Sequence, residues 1–146
     1  MELVVFIGLQ GSGKSTFWGE RFRDSHVRIN LDMLKTRHRE SLLFDACLVG
    51  KAPMVVDNTN PQVADRERYI QPARAAGFRV KGYYFQSKVS ECLERNAGRA
   101  DRVPDLAIRG THSRLVIPQR SEGFDELWHV RLTGTGFVVS EWRDEL

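Results

Sequence analysis

At 146 residues, with 41% hydrophobic and 28% charged side chains, the chain has the size and balance of one ordinary globular domain, which excludes a disordered or fibrous protein. No apolar run approaches the ~20 residues of a membrane span, and the first residues enter a strand pattern with no basic leader, so a cytoplasmic location is expected. The net charge of +3 gives little support to a broad nucleic-acid-binding face. Yet 17 of the 22 Lys+Arg are arginine, either a compositional habit or a preference for the planar fork that suits local phosphate contacts. Cys47 and Cys92 are far apart and outside any C-x-x-C pair, so both read as buried small hydrophobes.

Leu3-Val4-Val5-Phe6-Ile7 is a continuous apolar, β-branched run of buried-strand length. It leads into Gly8-Leu9-Gln10-Gly11-Ser12-Gly13-Lys14-Ser15, which fits G-x-x-x-x-G-K-[S/T] at every fixed position. Glycines without a Cβ let successive backbone N–H groups curl into a nest for phosphate oxygens, and the positive end of the following helix points the same way. The pattern predicts Lys14 on the β- and γ-phosphates of a nucleoside triphosphate and the Ser15 hydroxyl on Mg²⁺. Residues 14–23 read as a short helix whose Phe17, Trp18 and Phe22 form an aromatic face against a sheet.

Residues 27–31 read as a second strand that ends at Asp32. Asp32 has two readings, a helix N-cap or a carboxylate at the strand edge where open α/β sheets bind ligands. Leu42, Leu43, Ala46, Cys47 and Val49 recur at helical spacing, closed by Gly50 as C-cap and Lys51 as a dipole-compatible cation. Met54-Val55-Val56 is a third strand that ends in Asp57-Asn58-Thr59-Asn60-Pro61. Asp57 stands where P-loop proteins keep the carboxylate that orders Mg²⁺, while Asn60 and Pro61 read as the N-cap and first residue of a helix. That helix covers 61–76 with Pro72 inside it, so a kink or break is expected before Gly77 ends it.

Residues 79–85 form a fourth strand, and Ser87 caps a helix carrying Val89, Cys92 and Leu93. Arg95 and Arg99 are four apart and expected on one helix face, either as a solvated charge run or as a pair bridged by an anion. A last helix at 104–117, a turn at Gly123-Phe124 and a fifth strand at 127–132 follow. Gly134 and Gly136 then turn the chain into an edge strand, Phe137-Val138-Val139, able to pair with a second chain. The final Asp144-Glu145-Leu146 is only superficially similar to an ER-retention ending. Strands alternating with helices imply an α/β fold, a mostly parallel five-stranded sheet with right-handed crossovers, expected as one domain over 1–146.

Four stretches carry a resemblance: Gly8 to Thr16, Ile29-Asn30-Leu31-Asp32, Val56-Asp57-Asn58-Thr59-Asn60-Pro61, and Leu93-Glu94-Arg95-Asn96 followed by Arg99 and Val103-Pro104. Together they resemble the kinase domain of polynucleotide 5′-kinases, both the phage type and the kinase half of the eukaryotic kinase/phosphatase, within the small P-loop kinases. The loop is common to that whole set. The second stretch is similar to the family's Asn-Arg-Asp strand end, the third to its Asp-Asn-Thr-Asn-Pro segment and the fourth to its lid, so about residues 3–128 are covered.

The resemblance implies a P-loop kinase three-layer sandwich with a small helical, arginine-bearing lid at about 94–104. It implies ATP bound by Gly8, Gly11, Ser12, Gly13, Lys14, Ser15, Thr16 and Arg95, with Mg²⁺ on Ser15 and Asp57. It implies Asp32 as the general base, Lys14 and Arg99 as stabilisers of the transferring γ-phosphoryl, and Asp57, Asn58 and Lys35 around the acceptor. The acceptor it implies is the 5′-OH of a nucleic acid. A small-molecule kinase acting on a metabolite, nucleoside or antibiotic hydroxyl, and an ATP-binding or ATPase module without an acceptor, are the alternatives. Two departures bear on the acceptor: Leu31 and Lys35 replace arginines of the phage type, which removes a bidentate clamp for a 3′-phosphate, and no Asp-x-Asp-x-Thr phosphatase segment is present.

Overall fold

Strand β1 (Glu2–Gly8) divides the core, because Leu3, Val5 and Ile7 enter one apolar layer while Val4 and Phe6 enter the other. A strand buried on both faces has no use for polar alternation, which is why it reads as an unbroken apolar run. The computed structural model describes residues 1–86 and 88–144; the expected Ser87 cap and the last two residues of the Asp144-Glu145-Leu146 ending lie outside the described residues.

β1 pairs in parallel with β3 (Met54–Val56) and β4 (Arg79–Gln86). β2 (Val27–Ile29) lies outside β3 and β5 (Glu126–Thr133) outside β4, in the order β2-β3-β1-β4-β5-β6. The expected five-stranded sheet gains a sixth member. The edge strand expected at Phe137-Val138-Val139 becomes β6 (Gly136–Glu141), antiparallel to β5, and its Phe137 and Val139 extend the layer under the first helix.

Helix α1 (Lys14–Arg21) covers that layer, with Phe17 edge-on to Phe6, Phe85 and Phe137 at centroid distances of 5.8, 5.2 and 5.1 Å. The short helix α2 (Leu31–Leu34) follows β2, and α3 (Arg37–Gly50) and α4 (Val63–Ala75) seal the opposite face through Phe44, Tyr69, Ile70 and Ala73. Helices α5 (Val89–Ala97) and α6 (Asp105–Arg114) form a third cluster in which Cys92 and Ile108 bury Leu9. No helix among the described residues is long and apolar enough to cross a membrane.

Several expected boundaries move, most of them because a side chain captures backbone. β2 ends at Ile29 because Asn30 donates from Nδ2 to Asp57 O (2.6 Å) and accepts from Met33 N–H (2.9 Å), so Asn30 caps α2 and Asp32 is not a cap. Gly50 is the last residue of α3, and Lys51 takes the left-handed position (φ 54). Asn60 is not a cap either. Its Nδ2 donates to Phe6 O (2.8 Å), its own φ is 45, and the helix begins at Val63 behind the N-cap Gln62, whose N–H donates to Asp65 Oδ2 (3.0 Å). Pro72 does not break α4, because it falls in the final turn between the buried Ile70 and Ala73; Gly77 (φ 83) ends the segment as expected. α6 stops at Arg114, since Val116 N–H is drawn to Pro61 O (2.7 Å) and Val116 O accepts from Arg66 (3.0 Å). Arg66 is wholly buried and paired with Glu122 (2.7 Å), joining α4 to the turn before β5.

Candidate active site

The register of the sheet decides which residues meet. β1 aligns Val5 with Val56 and β2 aligns Ile29 with Val56, so Asn30 and Asp57 emerge at the same edge as the loop after β1. This is the switch point of an open α/β sheet, outside the C-terminal ends of the strands, where ligands bind. A cleft of about 1160 Å³ opens there, lined among others by Gly11, Gly13, Lys14, Ser15, Thr16, Asp32, Lys35, Asp57, Asn58, Arg95 and Arg99. Of the residues expected from the sequence, only Gly8 and Ser12 lie behind this surface. Gly8 O accepts from Lys14 Nζ, and the buried Ser12 Oγ lies 3.5 Å from the same nitrogen.

The loop needs its glycines. Gly11 has φ +78, and a Cβ there would stand 2.7 Å from Cys92 O, so α5 lies directly against the loop; at Gly13 (φ +98) a Cβ would meet the Phe137 ring at 2.9 Å. Lys14 is buried and its Nζ donates to Gly8 O (3.0 Å) and Leu9 O (2.6 Å). Burial lowers its pKa from 10.5 to about 8, against a pull back upward from Asp57. Its ammonium is thus buried against the carbonyls of its own loop, where an anion in the cleft would favour the charged form.

Asp32 occupies the first turn of α2, exposed at the cleft, and among the described residues it forms no hydrogen bond or ion pair. What fixes it is the backbone on either side. Asn58 Oδ1 accepts from Leu31 N–H (2.9 Å), and Asn58 Nδ2 donates to Glu40 Oε2 (2.9 Å). Glu40 is buried and receives Tyr69 OH (2.7 Å) and Arg37 Nη1 (2.9 Å), while burial and Glu40 push the Tyr69 phenol up to about 12. Both amide atoms of Asn58 are therefore engaged, Oδ1 in holding α2 and Nδ2 in tying it to Glu40 of α3, although the residue also borders the cleft.

The two lid arginines do not stack on one helix face. α5 ends at Ala97, so Arg95 in its last turn donates to Gly11 O (2.8 Å), whereas Arg99 lies past the C-cap Gly98 and pairs with Asp101 (3.3 Å). The loop between α5 and α6 is closed by the buried Asn96, whose Nδ2 donates to Val103 O (2.6 Å) and whose Oδ1 accepts from Val103 N–H (2.9 Å).

Arg28, which sequence reasoning passed over, sits at the centre of the site. From the middle of β2 it bonds Asp57 Oδ2 through Nε (2.9 Å) and Ser15 Oγ through Nη2 (2.9 Å). A lone arginine between apolar residues of a short strand was the available signal, since such a side chain points out of the sheet toward the neighbouring helix. With it, Lys14, Lys35, Arg95 and Arg99 face Asp32, Asp57 and Asp101 in the cleft, an excess of positive charge suited to a polyphosphate. Ser15 Oγ and Asp57 offer the hard oxygen donors that suit Mg²⁺. Among the described residues no group of three or more His, Cys, Asp or Glu could hold a metal, so this donor pair fits an ion that takes its other ligands from phosphates and water.

A protein-family model described as AAA domain matches residues 3–116. The chain belongs to the AAA domain family. This AAA domain is 28% identical over 135 residues, 88% of its length, to a bifunctional polynucleotide phosphatase/kinase of Schizosaccharomyces pombe. It is 29% identical over 135 residues, 86% of its length, to a putative bifunctional polynucleotide phosphatase/kinase of Acanthamoeba polyphaga mimivirus. The chain spans about a third of the length of these curated relatives, 33% and 32%. Among solved structures the AAA domain is similar to Kti12 of Chaetomium thermophilum in complex with ADP-AlF3, with TM-score 0.68 at 17% identity over 88% of each chain, a likeness of fold.

Proposed function

We propose that this chain is an ATP- and Mg²⁺-dependent kinase that transfers the γ-phosphoryl group to the 5′-OH of a nucleic-acid end. The observation that carries the reading is the single cleft in which the phosphate loop, the uncommitted Asp32 carboxylate and the lid arginines converge. The similarity to two proteins named polynucleotide phosphatase/kinase supports the acceptor class. In this reading residues 1–146 act as one domain whose lid is about 94–104.

The acceptor hydroxyl oxygen attacks the γ-phosphorus, its proton passes to Asp32, and the bond to the β-phosphate oxygen breaks with its electron pair leaving on ADP. Such transfers depend on positioning and charge neutralisation more than on covalent chemistry. Gly8, Gly11, Ser12, Gly13 and Thr16 form the cradle for the ATP phosphates, Lys14 and Arg99 neutralise the transferring group, and Arg95 closes over the nucleotide. Ser15 and Asp57 would hold Mg²⁺, which would supply positive charge to offset the negative charge developing on the phosphates. Lys35 and Asp57 face the acceptor, and Asn58 sets the pitch of α2 beneath it.

Incubation with γ-labelled ATP and a panel of 5′-OH oligonucleotides and small hydroxyl compounds tests the assignment. Label on the oligonucleotides, falling steeply with added salt, is the expected result. Label confined to a small compound makes the chain a small-molecule kinase, and nucleotide binding with no labelled product removes the kinase reading.

The pH response of Lys14 gives a separate check. A phosphate beside Lys14 favours its charged form, so binding takes up a proton near pH 8 and ADP affinity falls as pH rises through about 8. Calorimetry in buffers of different ionisation heat reads that proton directly. For the free protein the sign is opposite. The folded pKa lies below the unfolded 10.5, so the destabilisation from the buried charge is full below about 8 and fades toward 10.5.

A further inference from the structure

Asp57 is 2% exposed in its side chain, and a carboxylate so buried requires a cation. Arg28 is that cation: Nη2 lies 2.8 Å from Asp57 Oδ2 and donates to Ser15 Oγ at 2.9 Å, while Nε donates to Asp57 Oδ2 at 2.9 Å. The guanidinium carbon also lies 5.2 Å from the centre of the Trp18 ring. These are the two oxygen donors assigned above to Mg²⁺, and a divalent ion approaches its ligands to about 2.1 Å. A guanidinium and a dication cannot both hold the same hydroxyl and carboxylate oxygen at those distances without their charges coming into contact.

We propose that Arg28 and the divalent cation are alternative occupants of the Ser15–Asp57 pair, and that loading the cation drives Arg28 off it. The proposal rests on the metal assignment of the preceding subsection and not on the acceptor. Arg28 already borders the cleft, with its side chain 22% exposed, so it has a route out of the pair and into the space the polyphosphate fills. The arrangement makes free metal a weak ligand and metal–nucleotide a good one, because the phosphates neutralise the arginine that the metal displaces. It also makes Trp18 a reporter, since the departing guanidinium leaves its ring.

The test uses Mn²⁺, followed by loss of its free-ion electron spin resonance signal, with and without ADP. Wild type is compared with Arg28→Gln, Arg28→Lys and Asp57→Asn, each first checked by thermal unfolding. Arg28→Gln is expected to bind Mn²⁺ alone about tenfold or more tighter than wild type, the size of an ordinary coupling between sites. Arg28→Lys, which keeps the charge and loses the fork, is expected to fall between them. Mn²⁺ plus ADP is expected to shift wild-type tryptophan emission, a change that Trp18→Phe abolishes. Arg28 variants that bind Mn²⁺ like wild type, with Asp57→Asn impaired, overturn the proposal alone. Asp57→Asn binding Mn²⁺–ADP like wild type overturns the metal assignment and the proposal with it. Neither readout requires phosphoryl transfer.

Discussion

Asp32→Asn is expected to lower phosphoryl transfer by about 10²–10⁴-fold, the usual share of a positioned general base, with ADP affinity unchanged. The size follows from what surrounds the carboxylate. Asn30 caps α2 and Asn58 holds Leu31 N–H, so the turn carrying Asp32 is fixed from its backbone, and among the described residues the Asp32 side chain adds no hydrogen bond or ion pair to the fold. Asparagine keeps that shape and cannot take a proton, so the loss falls on the chemical step. Single-turnover transfer from labelled ATP, with calorimetric ADP binding beside it, separates the two quantities. Turnover equal to wild type would remove Asp32 as the base. The contrasting variant is Asn58→Ala, which leaves the carboxylate in place but releases both α2 and Glu40. It is expected to raise KM for the acceptor as well as lower kcat, and to lower the melting temperature, whereas Asp32→Asn changes neither KM nor stability.

Much of this was legible in the sequence because it is local. The phosphate loop depends on backbone conformations that only a few residues adopt, and the buried strand before it has one way of hiding its backbone on both faces, so Gly8 to Ser15 declares itself. The cleft residues Asp32, Asp57, Arg95 and Arg99 were recognisable for a related reason, since each follows or ends an element whose pattern is clear. What stayed hidden is what long-range side chains decide. Asn30, Asn58 and Asn60 bond backbone 27 to 54 residues away, and no window of sequence contains both partners. Asn60 therefore reads as a cap when it is a pin on β1, and Asp32 reads as a possible cap when Asn30 already holds that place. Arg28 and Arg66 escaped because a charged residue in a strand or helix looks solvated until the sheet order brings its acid across, Asp57 in one case and Glu122 in the other. The stacked arrangement of Arg95 and Arg99 failed for a shorter-range reason: the spacing is helical, but the helix stops at Ala97, one residue before Gly98.

That last difference sets the second large effect. Arg99→Ala is expected to lower kcat by about 10³–10⁵-fold, as for other arginines supplied to a transferring phosphoryl group, and Arg95→Ala by far less. Arg95 donates to Gly11 O and lies near Glu91, so its side chain is tied to the phosphate loop and to its own helix. Among the described residues Arg99 is tied only to the exposed Asp101, a pairing that also holds the Asp101 carboxyl below its ordinary pKa, and a surface pair of that kind is easily exchanged for a phosphate. Its reach is set by the loop that Asn96 closes onto Val103, which keeps Arg99 at the rim without fixing its side chain. Arg99→Lys is expected to restore little, because a point charge lacks the planar fork that spans two phosphate oxygens. Steady-state kcat at saturating ATP for the four proteins decides the matter. Equal losses at Arg95 and Arg99 would mean that both act on ground-state binding, and a loss at Arg99 that appears in KM for ATP alone would take it out of the transition state. Asn96→Ala distinguishes position from charge, since it keeps both arginines and frees the loop, and it is expected to fall between wild type and Arg99→Ala in kcat with ADP affinity preserved.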